Sequence, residues 1–303
     1  MKVAALDLGT NTFLILVCEV INKKIEKIYH DQVEVVRLGQ GVDKHKEFHA
    51  DALKRAELCL QKYSSIIKEH RPEKVFAMAT SAARDVKNKQ ELFEIGKRVD
   101  IPIQIISGDE EANLTYLGAT SGLPLDTKKR LIVDVGGGST ELILGQGEKV
   151  LFKQSLDVGC VRLTERYIEK APVSTQTIEI IKNEIINKSS QSIQEILKIA
   201  NPDEAIAVAG TPTELAKADI GYFDPVKIDG YKLTAEKLKN WIEVFAKNNN
   251  DQIIKLFNIS SGRADVILVG SLILYVICDL LKLSQLVVST RGVRYGIAIQ
   301  ISN

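Results

Sequence analysis

One pattern occurs twice and limits the folds open to this 303-residue chain. Residues 131–135 read as a buried strand that runs into Gly136, Gly137 and Gly138, then Ser139 and Thr140, before a second apolar strand leaves at Glu141. Only glycine tolerates the positive φ and close backbone approach needed to wrap N–H groups around an anion, so three together suggest a phosphate cradle. Taken alone, the stretch also fits a plain hairpin whose glycines merely make the bend. The second copy argues for more: Asp7, Gly9, Thr10 and Thr12 stand in the same order between two apolar stretches at the N-terminus. The two copies are about one domain length apart, so the chain reads as a repeated supersecondary unit in two domains.

Asp134 ends the first of these strands and Glu141 follows the hydroxyls, where two carboxylates could share a divalent cation. Two such anions ~5 Å apart repel by roughly 3 kcal/mol at an effective dielectric near ~20. A hard cation such as Mg2+, partly hydrated and shared with a phosphate, removes that cost. A third phosphate seat is offered by Gly210 and Thr211, which open a helix whose first N–H groups lack intrahelical partners.

The charge balance, 40 basic against 39 acidic residues, calls for neither nucleic acid nor an anionic membrane. Cys18, Cys59, Cys160 and Cys278 lack metal-ligand spacing and read as buried, reduced thiols of a cytoplasmic protein. Asp7, Asn11 and Glu19 interrupt the apolar N-terminus, which favours a strand over a leader peptide. The longest apolar run, 266–278, is short of the roughly 20 residues a membrane span needs and reads as a buried helix. His30, His45, His49 and His70 sit in polar surroundings and are expected to face solvent.

Periodicity predicts strands at 12–21 and 24–37, a helix at 50–70 stopped by Pro72, a strand at 74–79, a helix at 91–99, a strand at 101–106, and a helix capped by Ser107. A linker is expected within 121–130, dividing domains at 1–122 and 123–292. The second domain restarts with strands at 131–135, 141–145 and 149–156, then helices at 163–168 and 175–200 and a strand at 205–209. The last helix, about 293–303, is expected to pack back on the first domain. Two domains of like topology, each offering its Gly/Thr bend to the other, would hold the ligand in a cleft between them.

These residues resemble the exopolyphosphatase / guanosine pentaphosphate phosphohydrolase family. The resemblance rests on Asp7 to Asn11, on Thr80, Ser81, Ala82, Ala83 and Arg84, on Ser107 to Ala112, on Asp134 to Glu141, and on Gly210 with Thr211, all in the family's order. It implies an α/β fold of two actin-like, ribonuclease-H-like domains with mixed five-stranded sheets and flanking helices. It also implies Mg2+-assisted release of terminal orthophosphate from polyphosphate or guanosine pentaphosphate. Mn2+ as a substitute, a monovalent cation and a homodimer are left open; nucleic acid and membrane are not expected partners. Carried over by position, Glu111 matches the catalytic glutamate, Asp134 and Glu141 the metal and phosphate positions, and residues 136–139 the second phosphate loop. Asn11 and Arg84 match substrate contacts. The chain departs from the family at Tyr295, where an acid often follows the arginine, so no role transfers to that position.

Read from the residues themselves, Glu111 suits a base that orients the attacking water, yet acids in a first helical turn also simply complement the dipole. Glu110, one position away, faces elsewhere and suits that structural part. Arg84 offers a two-pronged donor for a phosphate oxygen, or a surface salt bridge with a neighbour such as Asp85. Asp7 suits an Asx-type cap or a water-mediated metal contact. Two rival readings use the same loops: an actin-like kinase or ATPase, and a non-catalytic sensor of guanosine tetra- or pentaphosphate.

Overall fold

The computed structural model describes residues 1–124 and 126–301. Residue 125 of the expected linker and residues 302–303 of the expected last helix lie outside the described residues. The chain divides into two units, Met1–Leu123 with Arg291–Asn303, and Pro124–Thr290.

The first unit begins with β1 (Lys2–Leu8), β2 (Thr12–Ile21) and β3 (Lys24–Val35), followed by α1 (Val42–His45), α2 (Ala50–His70) and β4 (Lys74–Ala79). It continues through α3 (Ser81–Arg84), α4 (Lys89–Arg98), β5 (Ile103–Ile105) and α5 (Gly108–Thr120). Its sheet has the order β3-β2-β1-β4-β5, with β1, β4 and β5 parallel and β2 antiparallel to its neighbours. β3 stops at Val35, two residues short of the expected end, because the amides of Val36 and Arg37 turn away to the carbonyl of Asn11. Side-chain alternation splits the core. Leu6, Leu8, Phe13, Ile15 and Val17 face α2, while Val3, Ala5, Leu16 and Cys18 face the other side. α2 buries Ala52, Ala56, Cys59, Leu60 and Tyr63 along one stripe, and Tyr63 donates to the carbonyl of Phe13 at 2.8 Å.

The second unit runs β6 (Lys129–Val135), β7 (Thr140–Gln146), β8 (Lys149–Leu156), α6 (Cys160–Tyr167), α7 (Thr175–Ile199), β9 (Glu204–Val208) and α8 (Gly210–Ile220). Then come α9 (Pro225–Ile228), β10 (Lys232–Thr234), α10 (Ala235–Lys247), α11 (Asn250–Phe257), α12 (Ile267–Leu281) and β11 (Gln285–Val288). Its sheet order is β10-β11-β9-β6-β7-β8. Five of these strands repeat the first unit's order. The sixth, β10, corrects the five-stranded expectation: three residues with only Leu233 buried are too short to announce a strand, and pairing with β11 forms it. The apolar run is α12, whose residues are almost all buried against α7 and α10. No helix of the described residues is long and apolar enough to cross a membrane.

The final helix, α13 (Val293–Gln300), belongs to the first unit and crosses α5 at backbone distance. A Cβ on Gly296 would lie 1.9 Å from the carbonyl oxygen of Leu114, and one on Gly118 would lie 2.1 Å from that of Gly292, so only glycine permits the approach. The histidine expectation needs correction. His45 and His49 are exposed, but His30 and His70 are partly buried with ring centroids 5.8 Å apart, and His30 Nε2 lies 2.9 Å from Gln32 Oε1.

Candidate active site

In the first unit, β1, β4 and β5 are parallel, so the segments after their carboxyl ends gather at one edge of the sheet. These are the 9–11 turn, α3 and the start of α5, at the edge where open α/β sheets bind ligands. The turn is closed by Gly9 N–H donating to Thr12 O at 3.0 Å. Its carbonyls face away from the edge: Thr10 O accepts from Gly39 N at 2.8 Å, and Asn11 O accepts from Val36 N and Arg37 N at 3.0 and 2.8 Å. Thr10 and Asn11 are buried, and a Cβ on Gly39 would fall 2.2 Å from Thr10 Cγ2.

α5 opens with a capping box in which Ser107 and Glu110 bond each other's backbone amides, Ser107 N donating to Glu110 Oε2 at 2.8 Å. Glu110 is thereby structural, and its carboxyl is held below the usual range by the Ser107 amide and hydroxyl. Glu111, one step round the helix, points inward and is 7% exposed. Arg84, at the end of α3, reaches it: Nη1 donates to Glu111 Oε2 at 2.7 Å and to Ile106 O at 3.0 Å. Burial pushes the Glu111 carboxyl above its ordinary value, and the Arg84 guanidinium opposes that without cancelling it. Arg84 therefore pairs with a buried acid 27 residues on, which sequence proximity to Asp85 does not suggest.

In the second unit the Gly-rich loop is braced by α6. Cys160 N donates to Gly136 O at 3.0 Å, and Val161 N and Arg162 N donate to Gly137 O at 2.9 and 3.0 Å. Arg162 Nε donates to Gly138 O at 2.8 Å. The orphan amides of the α6 start are thus satisfied by loop carbonyls. With the carbonyls turned to α6, the amides of Gly137, Gly138 and Ser139 are left without backbone acceptors among the described residues. Gly136 closes the loop by donating to Ser139 O at 2.9 Å.

Asp134 and Glu141 are directly opposed across the β6–β7 ladder and so share one face of the sheet, both buried. Glu141 Oε1 accepts from Ser155 Oγ at 2.7 Å. Among the described residues there is no group of three or more His, Cys, Asp or Glu able to hold a metal. Two opposed carboxylates fit a Mg2+ ion that keeps most of its water, not an ion caged by protein.

Gly210 and Thr211 start α8 after β9, which lies parallel to β6, so this helix start and the 136–139 loop share one edge. The preceding Ala209 has φ 76° and ψ −164°, a region ordinarily left to glycine, and the strain fixes the helix entry. Thr211 is 1% exposed with its hydroxyl packed towards Gly270 of α12, so this seat offers backbone amides and not the hydroxyl. Asp7 lies on β1 in register with Leu14 and Met78, one residue before the strand's end.

Sequence reasoning missed Gly159, Arg162 and Ser155. It started α6 three residues late, because Gly159 gives no side-chain cap and only the docking on the loop marks the helix start.

A family model described as the Ppx/GppA phosphatase family matches residues 16–302. Exopolyphosphatase 2 of Mycobacterium tuberculosis is 31% identical, the alignment covering 99% of this chain and 98% of that protein. The crystal structure of an exopolyphosphatase from Cytophaga hutchinsonii superposes with a TM-score of 0.92 at 26% identity, covering 99% of this chain and 97% of that one. The Aquifex aeolicus Ppx/GppA family member gives a TM-score of 0.81 at 28% identity, covering 100% and 97%. With its repeated strand order, the α/β fold of two mixed-sheet units is that of the Ppx/GppA structures. The chain belongs to the Ppx/GppA phosphatase family.

Proposed function

We propose that the protein hydrolyses terminal phosphoanhydrides, releasing orthophosphate from inorganic polyphosphate, with guanosine pentaphosphate as a second candidate substrate. The family and the exopolyphosphatase relatives support the reaction class. The observation that carries the assignment of residues is Glu111: a buried carboxylate, raised in pKa and oriented by Arg84, at the carboxyl ends of the parallel strands of a mixed sheet.

Phosphoanhydride hydrolysis needs charge neutralisation, alignment and one oriented water more than covalent help. Glu111 takes a proton from the water as its oxygen attacks the terminal phosphorus, and the bridging P–O bond breaks towards the shortened chain. Arg84 uses one nitrogen on Glu111 and keeps further N–H donors for a phosphoryl oxygen. The first unit also brings Asn11 and the 9–11 turn as phosphate contacts. The second brings the amides of Gly137, Gly138 and Ser139, with the Gly210–Thr211 backbone as a further seat. Mg2+ held by Asp134 and Glu141 would supply positive charge to the phosphate oxygens. Four buried, free thiols fit a reducing cytoplasmic setting.

Phosphate release should be compared on polyphosphates of several lengths, guanosine pentaphosphate and ATP, each with Mg2+, using wild type and Glu111→Ala. Release from polyphosphate that Glu111→Ala loses while staying folded supports the reading. A strong preference for ATP favours a kinase or ATPase, and tight guanine-nucleotide binding with no release from any substrate favours a sensor.

A further inference from the structure

Asp134, Glu141 and Ser155 form one row across three neighbouring strands. Asp134 pairs with Glu141 on the β6–β7 ladder, and Glu141 pairs with Ser155 on the β7–β8 ladder. Paired residues project from the same face, so Ser155 flanks Glu141 on the side away from Asp134. The next row on that face is Ile206, Ile132, Ile143 and Lys153, and its three isoleucines are buried. A carboxylate in such surroundings needs hydrogen-bond donors from within the protein.

Glu141 is 1% exposed, and Ser155 Oγ donates to its Oε1 at 2.7 Å, the short distance of a charge-assisted bond. The start of β7 is fixed as well, since the hydroxyl of Thr140 donates to the carbonyl of Val158. Backbone placement sets where the Glu141 carboxylate sits but not which oxygen faces a ligand, because its last side-chain torsion is broad and exchanges the two. Mg2+ demands near-ideal octahedral geometry, so a ligand oxygen that wanders weakens the site. The bond from Ser155 to Oε1 restrains that torsion.

We infer that Ser155 is a positioning residue for the proposed cation: it keeps Oε1 committed to a hydroxyl, so that the other oxygen of Glu141 stays available to an ion shared with Asp134. The inference rests on the metal part of the proposed function. Ser155 touches neither ion nor phosphate in this role and acts only through Glu141. A purely structural bond would satisfy the buried carboxylate equally well. The two roles part in one respect, whether cation affinity depends on the hydroxyl.

Cation binding is read without turnover from the electron paramagnetic resonance signal of free Mn2+, an ion suited by the same oxygen ligands as Mg2+, titrated with the protein in the presence of orthophosphate. Ser155→Ala should weaken Mn2+ binding about tenfold or more, the usual cost of losing a group that orients a ligand. Ser155→Thr, which keeps the hydroxyl on a residue suited to a strand, should restore most of it. In a Glu141→Gln background, Ser155→Ala should weaken binding no further. Phosphate release from polyphosphate by Ser155→Ala should need correspondingly more Mg2+ for half-activation, with kcat at saturating Mg2+ little changed. Thermal unfolding checks that each variant is folded. Wild-type Mn2+ affinity in folded Ser155→Ala, a loss that Ser155→Thr leaves in place, or an equal loss in both backgrounds would show a structural bond only and overturn the inference. A wild type that binds no Mn2+ refutes the metal site and removes the inference with it. A wild type that binds Mn2+ through Ser155 yet releases no phosphate from any substrate upholds the inference and refutes the hydrolase reading.

Discussion

The bracing of the Gly-rich loop by α6 can be tested at one atom. Gly159 has φ −130° and ψ 153°, extended backbone that alanine adopts without strain, so Gly159→Ala changes only what a methyl group touches. That methyl would fall 2.2 Å from Gly137 O and 2.4 Å from Gly138 C. Both are backbone atoms with no rotamer to swing aside, so loop and helix must part by about 1 Å to regain van der Waals contact. The separation strains the three amide bonds from Cys160, Val161 and Arg162 and the Arg162 guanidinium bond to Gly138 O. At about 1 kcal/mol net for each bond weakened, the unit should lose roughly 2–4 kcal/mol. The midpoint of its thermal unfolding should then fall by roughly 5–10 °C. Moving the Gly137–Ser139 amides by about 1 Å from a phosphoryl group should lower kcat by around a hundredfold. Calorimetry and steady-state phosphate release read the two effects. A folded Gly159→Ala protein with wild-type kcat would refute the role of loop placement in turnover, and an unchanged midpoint would refute the bracing itself.

Four further outcomes follow from the same geometry. Glu111→Gln should lower phosphate release by about a thousandfold, within the usual range for losing a general base, as measured by initial rates. Because burial raises the Glu111 carboxyl above its ordinary 4.5, its stabilising contribution is complete below that value and is lost as pH rises through the raised folded value. Glu111→Gln should therefore gain on wild type in thermal stability between acid and neutral pH, and a variant that loses ground there would contradict the burial argument. For the same reason kcat/KM should fall on an acid limb with its midpoint above 4.5, and Glu111→Gln should lack that limb in a pH–rate profile. Chelation should abolish release and Mg2+ restore it, and Asp134→Asn should need at least about tenfold more Mg2+ for half-activation in a metal titration.

The parts of this molecule legible in sequence are those whose physics is local. Asp7, Gly9 and Thr10, and Asp134 with the glycines and Ser139, declare themselves because a strand, a bend free of side chains and a second strand must be consecutive in the chain. The Ser107–Glu110 capping box is equally local, and it separates two adjacent acids: by engaging Glu110 at the helix start it leaves Glu111 as the inward-facing carboxylate. What sequence could not supply is what secures these parts. Arg84 reaches Glu111 because β4 and β5 are parallel neighbours, so the segments that leave them meet at one edge although far apart in the chain. Gly159 matters only because α6 docks on a loop that precedes it by a whole hairpin, and Ser155 only because β8 returns beside β7 and sets its hydroxyl against Glu141. Backbone-to-backbone packing of Gly118 and Gly296 leaves no side-chain signature at all. On the proposed reading the motifs mark the phosphate seats, while the rigidity of those seats is set by long-range contacts, so substitutions such as Gly159→Ala should harm turnover while every motif residue stays in place.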